Sequence, residues 1–150
     1  ASGLGNNCAI EAGGKCFTAA FLSTPLTKAQ CEAEKDKLGI KECRFDGDYW
    51  AGAVKQCGGI SKMPTQADLT ELAKVLYNTS SINSSSWTQN LTLDRTKASS
   101  MGFTSSFVLW SGEELNGLDA YQRYFGSSST HWSTNSFRPG IDPKAVCIGE

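Results

Sequence analysis

Few side chains in this 150-residue chain are suited to catalysis. The single histidine, His131, lies in a serine-rich stretch without the nucleophile and the acid that a catalytic triad requires. Glu113 and Glu114 are adjacent, so on a strand they point to opposite faces and cannot readily act as an acid and base pair. We expect one of them to pair with Arg123 or Arg138 instead. The sequence therefore predicts no catalytic residues and a non-enzymatic protein.

Metal sites are also not indicated. The segment Asp46-Gly47-Asp48 is similar to the start of a calcium loop, but the remaining oxygen ligands are missing at their spacings. The cysteines lack the close pairs of zinc sites, since the shortest gap separates Cys8 from Cys16. We expect no metal ion and no other cofactor.

Six cysteines instead predict a disulfide framework formed in an oxidising compartment, which indicates an extracellular or cell-surface location. Six cysteines allow many pairings, and the sequence alone does not choose among them. A bridge from Cys147 to Cys57 would close a loop of about 90 residues and contribute about 4–5 kcal/mol. Cys31 lies in the first turn of a predicted helix and Cys43 just past its end, so a bridge between them could clip the helix to the following loop.

The composition excludes other classes of partner. Fifteen acidic and 14 basic residues give a net charge of -1, so neither a nucleic-acid patch nor a polyanionic tail is available. No apolar run approaches the roughly 20 residues of a membrane span, and the first residues do not form a signal peptide. We expect no nucleic-acid partner and no membrane contact by this segment.

Capping signals predict the helices that must position these residues. Thr27 and Gln30 form a capping box before a helix that Gly39 ends, Asp48 can cap a second helix, and Thr65 and Asp68 form another box. The predicted helical segments are 28–38, Tyr49–Cys57, an apolar-striped helix from Thr65 through Leu76, and a turn around Asp94–Ser100.

Strands are predicted in the second half of the chain, giving an α+β fold with helices in the N-terminal half and a small antiparallel sheet with long loops in the C-terminal half. Residues 1–26 have weak periodicity and are expected to form a disulfide-held N-terminal lead-in. The predicted strands are Phe103–Trp110, Ala120–Phe125, Thr130–Phe137 and Lys144–Ile148, with 79–90 as a loop.

Residues 115–143 combine Ser, Tyr, Asn, Gly, Asp and Thr with a few larger aromatic side chains. Antibody-type binding surfaces use this composition, because aromatic rings give contact area and small polar groups adapt their hydrogen bonds. Ordinary surface loops of a sheet would have the same composition. Three Asn-X-Ser/Thr sequons, at Asn78, Asn83 and Asn90, matter only if the source glycosylates them.

A longer sequence pattern favours a binding surface over ordinary surface loops. Residues 107–114, Phe-Val-Leu-Trp-Ser-Gly-Glu-Glu, are followed by Ala120, 123–125, 130–132 and Arg138, and the pattern ends on 145–150. This resembles the C-type-lectin-fold variable proteins that retroelements diversify in bacteria, their phages and archaea. Residues 49–57 and 62–65, followed by a helix, look like the branch in which this domain follows a prepilin segment of a type IV pilus-like assembly.

The resemblance implies a C-type lectin-like domain over 27–150, with a variable region at about 107–150. It implies a non-enzymatic, surface-displayed recognition or adhesion domain whose ligand is a protein or other macromolecule on a target cell or phage. Pilus subunits are further implied partners. The implied scaffold residues are Trp110, Gly112, Ala120, Phe125, Trp132, Arg138 and Cys147. The implied ligand-binding residues are Leu115, Asn116, Leu118, Asp119, Tyr121, Gln122, Tyr124, Ser128, His131, Ser133, Thr134, Asn135 and Phe137.

In such a domain we expect Cys57–Cys147 to join the second helix to the chain end, Cys31–Cys43 to fasten the first helix, and Cys8–Cys16 to close the lead-in. Simple strand alternation would place Ala120 and Gln122 on one face, with Tyr121, Arg123 and Phe125 on the other.

Three alternatives remain: a structural pilin-like subunit without a specific ligand, a calcium-independent carbohydrate-binding lectin, and an enzyme of the formylglycine-generating type, which relies on reactive cysteines. The sequence lacks the Glu-Pro-Asn, Gln-Pro-Asp and Trp-Asn-Asp tripeptides of calcium-dependent lectins, so we expect no calcium-dependent sugar binding.

Overall fold

A computed structural model describes residues 8–82, 89–103, 106–116, 119–139 and 143–149, with the backbone alone for 132–137. The chain is α+β. Its helices are α1 (Lys28–Leu38), α2 (Tyr49–Cys57), α3 (Gln66–Leu76) and α4 (Arg95–Ser100), with a 3-10 turn at Ile60–Lys62. Its strands are β1 (Ile10–Ala12), β2 (Lys15–Phe17), β3 (Gln89–Asn90), β4 (Phe107–Glu114), β5 (Asp119–Phe125), β6 (Ser129–Phe137) and β7 (Ile148–Gly149).

The helices begin where the capping residues predicted. Thr27 accepts a hydrogen bond from the Gln30 N–H, and the Gln30 side chain accepts one from the Thr27 N–H, which is a complete capping box. Thr65 and Asp68 form the second box at α3, and the Asp48 side chain caps α2. All four predicted helical segments are confirmed, because their signals lie within a few residues of each helix end.

Two antiparallel sheets follow a plan that the sequence predicts only in part. The larger sheet has the order β3-β6-β5-β4 and the smaller one β1-β2-β7. The strand expected over Phe103–Trp110 instead begins at Phe107 and continues to Glu114. Phe103 follows α4, and its N–H donates to the Ala98 carbonyl of that helix, while Glu114 still pairs with Ala120 of β5.

The chain ends differ more from expectation. The lead-in contains the β1–β2 hairpin, and β2 pairs with β7, so Phe17 lies opposite Ile148. The strand predicted over Lys144–Ile148 is wrong as a continuous element, because 144 and 145 form isolated bridges to Leu109 and Phe21. Three-residue strands leave no periodicity for sequence reasoning to detect.

Two buried clusters lie against the helices and sheets. One packs α3 and α4 against the larger sheet and includes Leu72, Phe107 and Phe125. The other surrounds Trp50 of α2 and Trp110 of β4, both fully buried. Together these clusters fix the ends of β4 and β5, between which the candidate ligand-binding residues begin.

Three disulfides, Cys8–Cys16, Cys31–Cys43 and Cys57–Cys147, use all six cysteines, in the pairs that the resemblance implied. They indicate an oxidising environment. None of the helices in the described residues has the length and apolar character that a membrane span requires.

Candidate functional site

The turn that joins β4 to β5, called the tip here (115–119), carries the first candidate ligand-binding residues. The Leu115 and Asn116 N–H groups both donate to the Asp119 carbonyl at 3.2 Å, and the Asp119 N–H donates to Asn116 Oδ1 at 2.9 Å. Leu115, beside these hydrogen bonds, is 39% exposed. The tip therefore exposes the apolar side chain of Leu115, while hydrogen bonds hold its backbone.

A buried ion cluster lies under the tip. Arg138 donates from Nε and Nη2 to Asp48 Oδ2, at 3.0 and 2.8 Å, and from Nη1 to Glu114 Oε2 at 2.9 Å. The guanidinium also lies 4.6 Å from the centre of the Trp50 ring. The predicted pairing of Glu113 or Glu114 with an arginine is confirmed, with Glu114 and Arg138 as the pair. We call Arg138, Asp48 and Glu114 the Arg138 cluster.

The Arg138 cluster holds two loops side by side. Arg138 Nη1 donates to the Asn116 carbonyl at 3.1 Å and Nη2 donates to the Glu42 carbonyl at 2.9 Å. The Glu114 carboxylate accepts the N–H groups of Lys41 and Glu42. The tip consequently rests against the loop after α1, which the Cys31–Cys43 disulfide fastens in turn.

The pairing of β5 with β6 contains a bulge, and its extra residue lies on β6. The register between β5 and β6 shifts between Ala120 and Gln122, and the buried positions are Ala120, Arg123 and Phe125. Ala120 is buried in the cluster around Trp50 and Trp110, whereas Phe125 is buried in the cluster with Leu72 and Phe107, so the burial of both residues does not place them on one face of β5. Tyr121 and Gln122 are half-buried.

Tyr124 and His131 face each other across β5 and β6, with ring centres 5.2 Å apart. Gly126 leaves room for the tyrosine ring, because a Cβ there would lie 2.6 Å from Tyr124 Cε2. The Nδ1 atom of His131 is buried and has no hydrogen-bond partner among the described residues. Tyr124 is thus a preorganised aromatic group, a kind that contributes much of the energy of protein interfaces.

Tyr77 and Arg123 are buried polar side chains behind these strands, close enough to interact electrostatically, and sequence reasoning missed them. Arg123 is 1% exposed, and its Nε and Nη1 atoms have no hydrogen-bond partner in the described part of the chain. Burial lowers the pKa of Arg123 to about 10, partly offset by Tyr77. Burial raises the pKa of Tyr77 to about 12, against opposing effects of Thr130 and Arg123. Nothing local in the sequence pairs positions this far apart.

The described candidate ligand-binding residues lie in the tip, in β5 and in the turn and strand that follow it, and Tyr124 and His131 are brought together across β5 and β6. Leu118 lies outside the described residues, and the side chains of Ser133, Thr134, Asn135 and Phe137 are not described, although their backbone belongs to β6. The exposed candidates are Leu115, Asn116 and Ser128, and the half-buried ones are Asp119, Tyr121, Gln122, Tyr124 and His131.

The expected scaffold residues with described side chains are all buried. Trp132 falls among the residues without described side chains. The buried ones are Trp110, Gly112, Ala120, Phe125, Arg138 and Cys147.

The acidic residues that resembled a calcium loop have structural roles. Asp46 accepts the Lys28 N–H at 2.9 Å, and Asp48 binds Arg138. Within the described ranges, no group of three or more His, Cys, Asp or Glu side chains is arranged to hold a metal ion.

Comparisons with known proteins give no match: neither a protein-family model, nor a curated protein, nor a solved structure is similar to this chain.

Proposed function

We propose that the chain is a recognition domain of the C-type-lectin-fold variable type. It is displayed outside the cell, binds a macromolecular ligand through residues 115–143, and has no catalytic activity. The observation that carries this proposal is the separation of roles at the tip. Buried groups of the Arg138 cluster hold the backbone of Asn116 and Glu42, so that the side chain of Leu115 is free to face a ligand.

The chemistry of the surface fits a protein ligand. Tyr124 and Tyr121 supply aromatic area, while Asn116, Gln122 and Ser128 supply adaptable hydrogen-bonding groups. Rigid aromatic side chains lose little conformational entropy on binding, and interfaces that use them reach useful affinity without a deep pocket. A broad, mixed surface of this kind suits a macromolecule better than a small substrate.

The place of display follows from the disulfides and from the resemblance. Three disulfides persist in an oxidising, extracellular setting. The resemblance of 49–57 and 62–65 to the pilin-linked branch supports display on a type IV pilus-like assembly, with pilus subunits as neighbours.

The proposal is tested by randomising the surface while leaving the frame untouched. A yeast-displayed library varies the eight described candidate positions and is selected against one purified protein, hen egg lysozyme. The varied positions are Leu115, Asn116, Asp119, Tyr121, Gln122, Tyr124, Ser128 and His131. We expect most variants to fold, with melting temperatures within about 5 °C of the original, and selection to yield binders.

A matched library on α1 controls for the general tolerance of exposed sites. It varies six exposed helix positions, Lys28, Ala29, Glu32, Ala33, Asp36 and Lys37. Binders should arise from the first library at a much higher frequency. If most variants of the first library fail to fold, or if α1 yields binders as readily, the proposed recognition surface is wrong.

A further inference from the structure

We propose that Asn90 is the acceptor of an N-linked glycan, and that Asn78 is not, when the chain passes through a secretory pathway that has an oligosaccharyltransferase. Asn90 begins the sequon Asn90-Leu91-Thr92, and Asn78 begins Asn78-Thr79-Ser80. A sequon alone is a weak signal, so the proposal depends on how the fold presents these two asparagines.

Asn90 lies in an extended segment whose side chains alternate between solvent and core. Asn90 and Thr92 are exposed, Leu91 is half-buried and Leu93 is buried. The Leu91 and Leu93 N–H groups donate to the carbonyls of Ser128 and Ser127, which fixes this register. The amide and the hydroxyl that define the sequon consequently share one outward face.

Among the residues that the structure describes, the neighbours of Asn90 leave room for a sugar. β3 is an outer strand of the larger sheet, and Asn90 lies opposite Ser129 of β6. The neighbouring turn carries the exposed residues Ser127 and Ser128, and Ser106 approaches it through a 3.2 Å hydrogen bond to the Ser127 N–H. Small hydroxyl side chains present little steric obstacle. A glycan here would also cover part of a sheet edge, which proteins commonly protect from pairing with other chains.

Asn78 is placed very differently. Its backbone has φ 52°, in the left-handed region. Its Nδ2 atom donates to Asp94 Oδ2 at 3.1 Å, and its Oδ1 atom accepts a hydrogen bond from Lys97 Nζ. Asp94 also caps α4 through the Thr96 and Lys97 N–H groups. A sugar on Nδ2 would crowd this cluster and disturb the start of α4, so a folded chain with a glycan at Asn78 is disfavoured.

The modification is an ordinary group transfer from a lipid-linked oligosaccharide. The Asn90 side-chain nitrogen forms a bond to the anomeric carbon of the sugar, and the bond between that carbon and the lipid phosphate oxygen breaks. The nitrogen loses one proton, which the departing lipid phosphate takes up. No oxidant or reductant is required.

A glycan at this position would divide the proposed recognition surface. Asn90 pairs with the first residue of β6, whereas Asp119 beside the tip pairs with the last, Phe137. Nine residues of β6 separate these ends by roughly 26 Å. The sugar would shield Ser128 and leave the tip open.

The test uses the full chain secreted from yeast, with Asn83→Gln in every variant so that only the two described sequons are compared. Four proteins are compared on this background. The parent carries no further change, and the others carry Asn78→Gln, Asn90→Gln or Thr92→Ala. Intact mass before and after peptide N-glycosidase F measures occupancy, and peptide mapping assigns the site.

We expect one glycan on the parent and on the Asn78→Gln variant, and none on the Asn90→Gln and Thr92→Ala variants. Thr92→Ala removes the sequon without changing the acceptor, so it separates loss of the site from any effect of the glutamine. Melting temperatures of the enzymatically deglycosylated parent, Asn90→Gln and Thr92→Ala proteins should agree within about 2 °C, since the Asn90 and Thr92 side chains are both exposed. A glycan mapped to Asn78, a glycan that persists in the Thr92→Ala variant, or an unmodified parent would overturn the proposal.

Discussion

Arg138→Met removes a buried guanidinium while keeping an unbranched apolar side chain of similar length. The Arg138 side chain is 0% exposed, and its partners Asp48 and Glu114 are 0% and 5% exposed. Deleting one member of a buried ion pair costs about 3–5 kcal/mol, because the remaining charge is left unpaired. Here two carboxylates lose their cation, and the Asn116 and Glu42 carbonyls lose a donor. We therefore expect a loss near the upper end, about 5 kcal/mol.

Guanidinium chloride unfolding, followed by tryptophan fluorescence, measures this loss. The control is Lys37→Met, which removes an exposed charge on α1 and should change the free energy of unfolding by less than about 0.5 kcal/mol. The triple variant Arg138→Met, Asp48→Asn, Glu114→Gln should recover part of the loss. Its neutral amides leave no buried charge, and asparagine still caps α2.

The effect should also be local to the tip. Hydrogen exchange at the Asp119 amide, which is bonded to Asn116 Oδ1, should accelerate in the Arg138→Met variant more than exchange in α3. A stability loss below about 1 kcal/mol, or a triple variant less stable than the single one, would refute the argument that Arg138 neutralises the cluster and holds both loops.

Two further predictions concern packing and pH. In the Gly52→Ala variant, the new Cβ would lie 1.9 Å from the Thr24 carbonyl oxygen, so α2 must shift. We expect the free energy of unfolding, measured by the same assay, to fall by about 3 kcal/mol or more. A loss below about 1 kcal/mol would contradict this close approach. Burial raises the pKa of Tyr77 from 10.0 to about 12, so the unfolded chain loses this proton first and stability falls as pH rises from 10 to 12. Between pH 9 and 11 the wild type should lose about 1.4 kcal/mol more than Tyr77→Phe, and equal losses would show that Tyr77 ionises equally in both states.

Local signals explain what the sequence could predict of the fold. Thr27 with Gln30 and Thr65 with Asp68 are capping partners three residues apart, so each helix start is encoded within one turn. The pairing of β2 with β7 joins residues more than 130 positions apart through strands of two and three residues. Such a pairing depends on the whole fold, and no short window of sequence contains it.

The candidate site likewise has features that the sequence predicts and features that depend on the whole fold. One member of the Arg138 cluster could be found from sequence, because adjacent glutamates on a strand leave one facing inward. Asp48 could not be assigned to the cluster, since its role as the cap of α2 already accounted for an aspartate there. The register shift between Ala120 and Gln122 has no residue signature either.

The Cys57–Cys147 disulfide has a mechanical consequence. When tension is applied across 8–149, the force passes along the chain to Cys57, crosses the sulfur bridge to Cys147 and leaves by β7. The 89 residues between these cysteines, including all of β3, β4, β5 and β6, are bypassed. When tension is instead applied between Cys8 and the tip, it reaches the tip by two covalent routes, forward from Cys57 and backward from Cys147. Each route then carries only part of the pull.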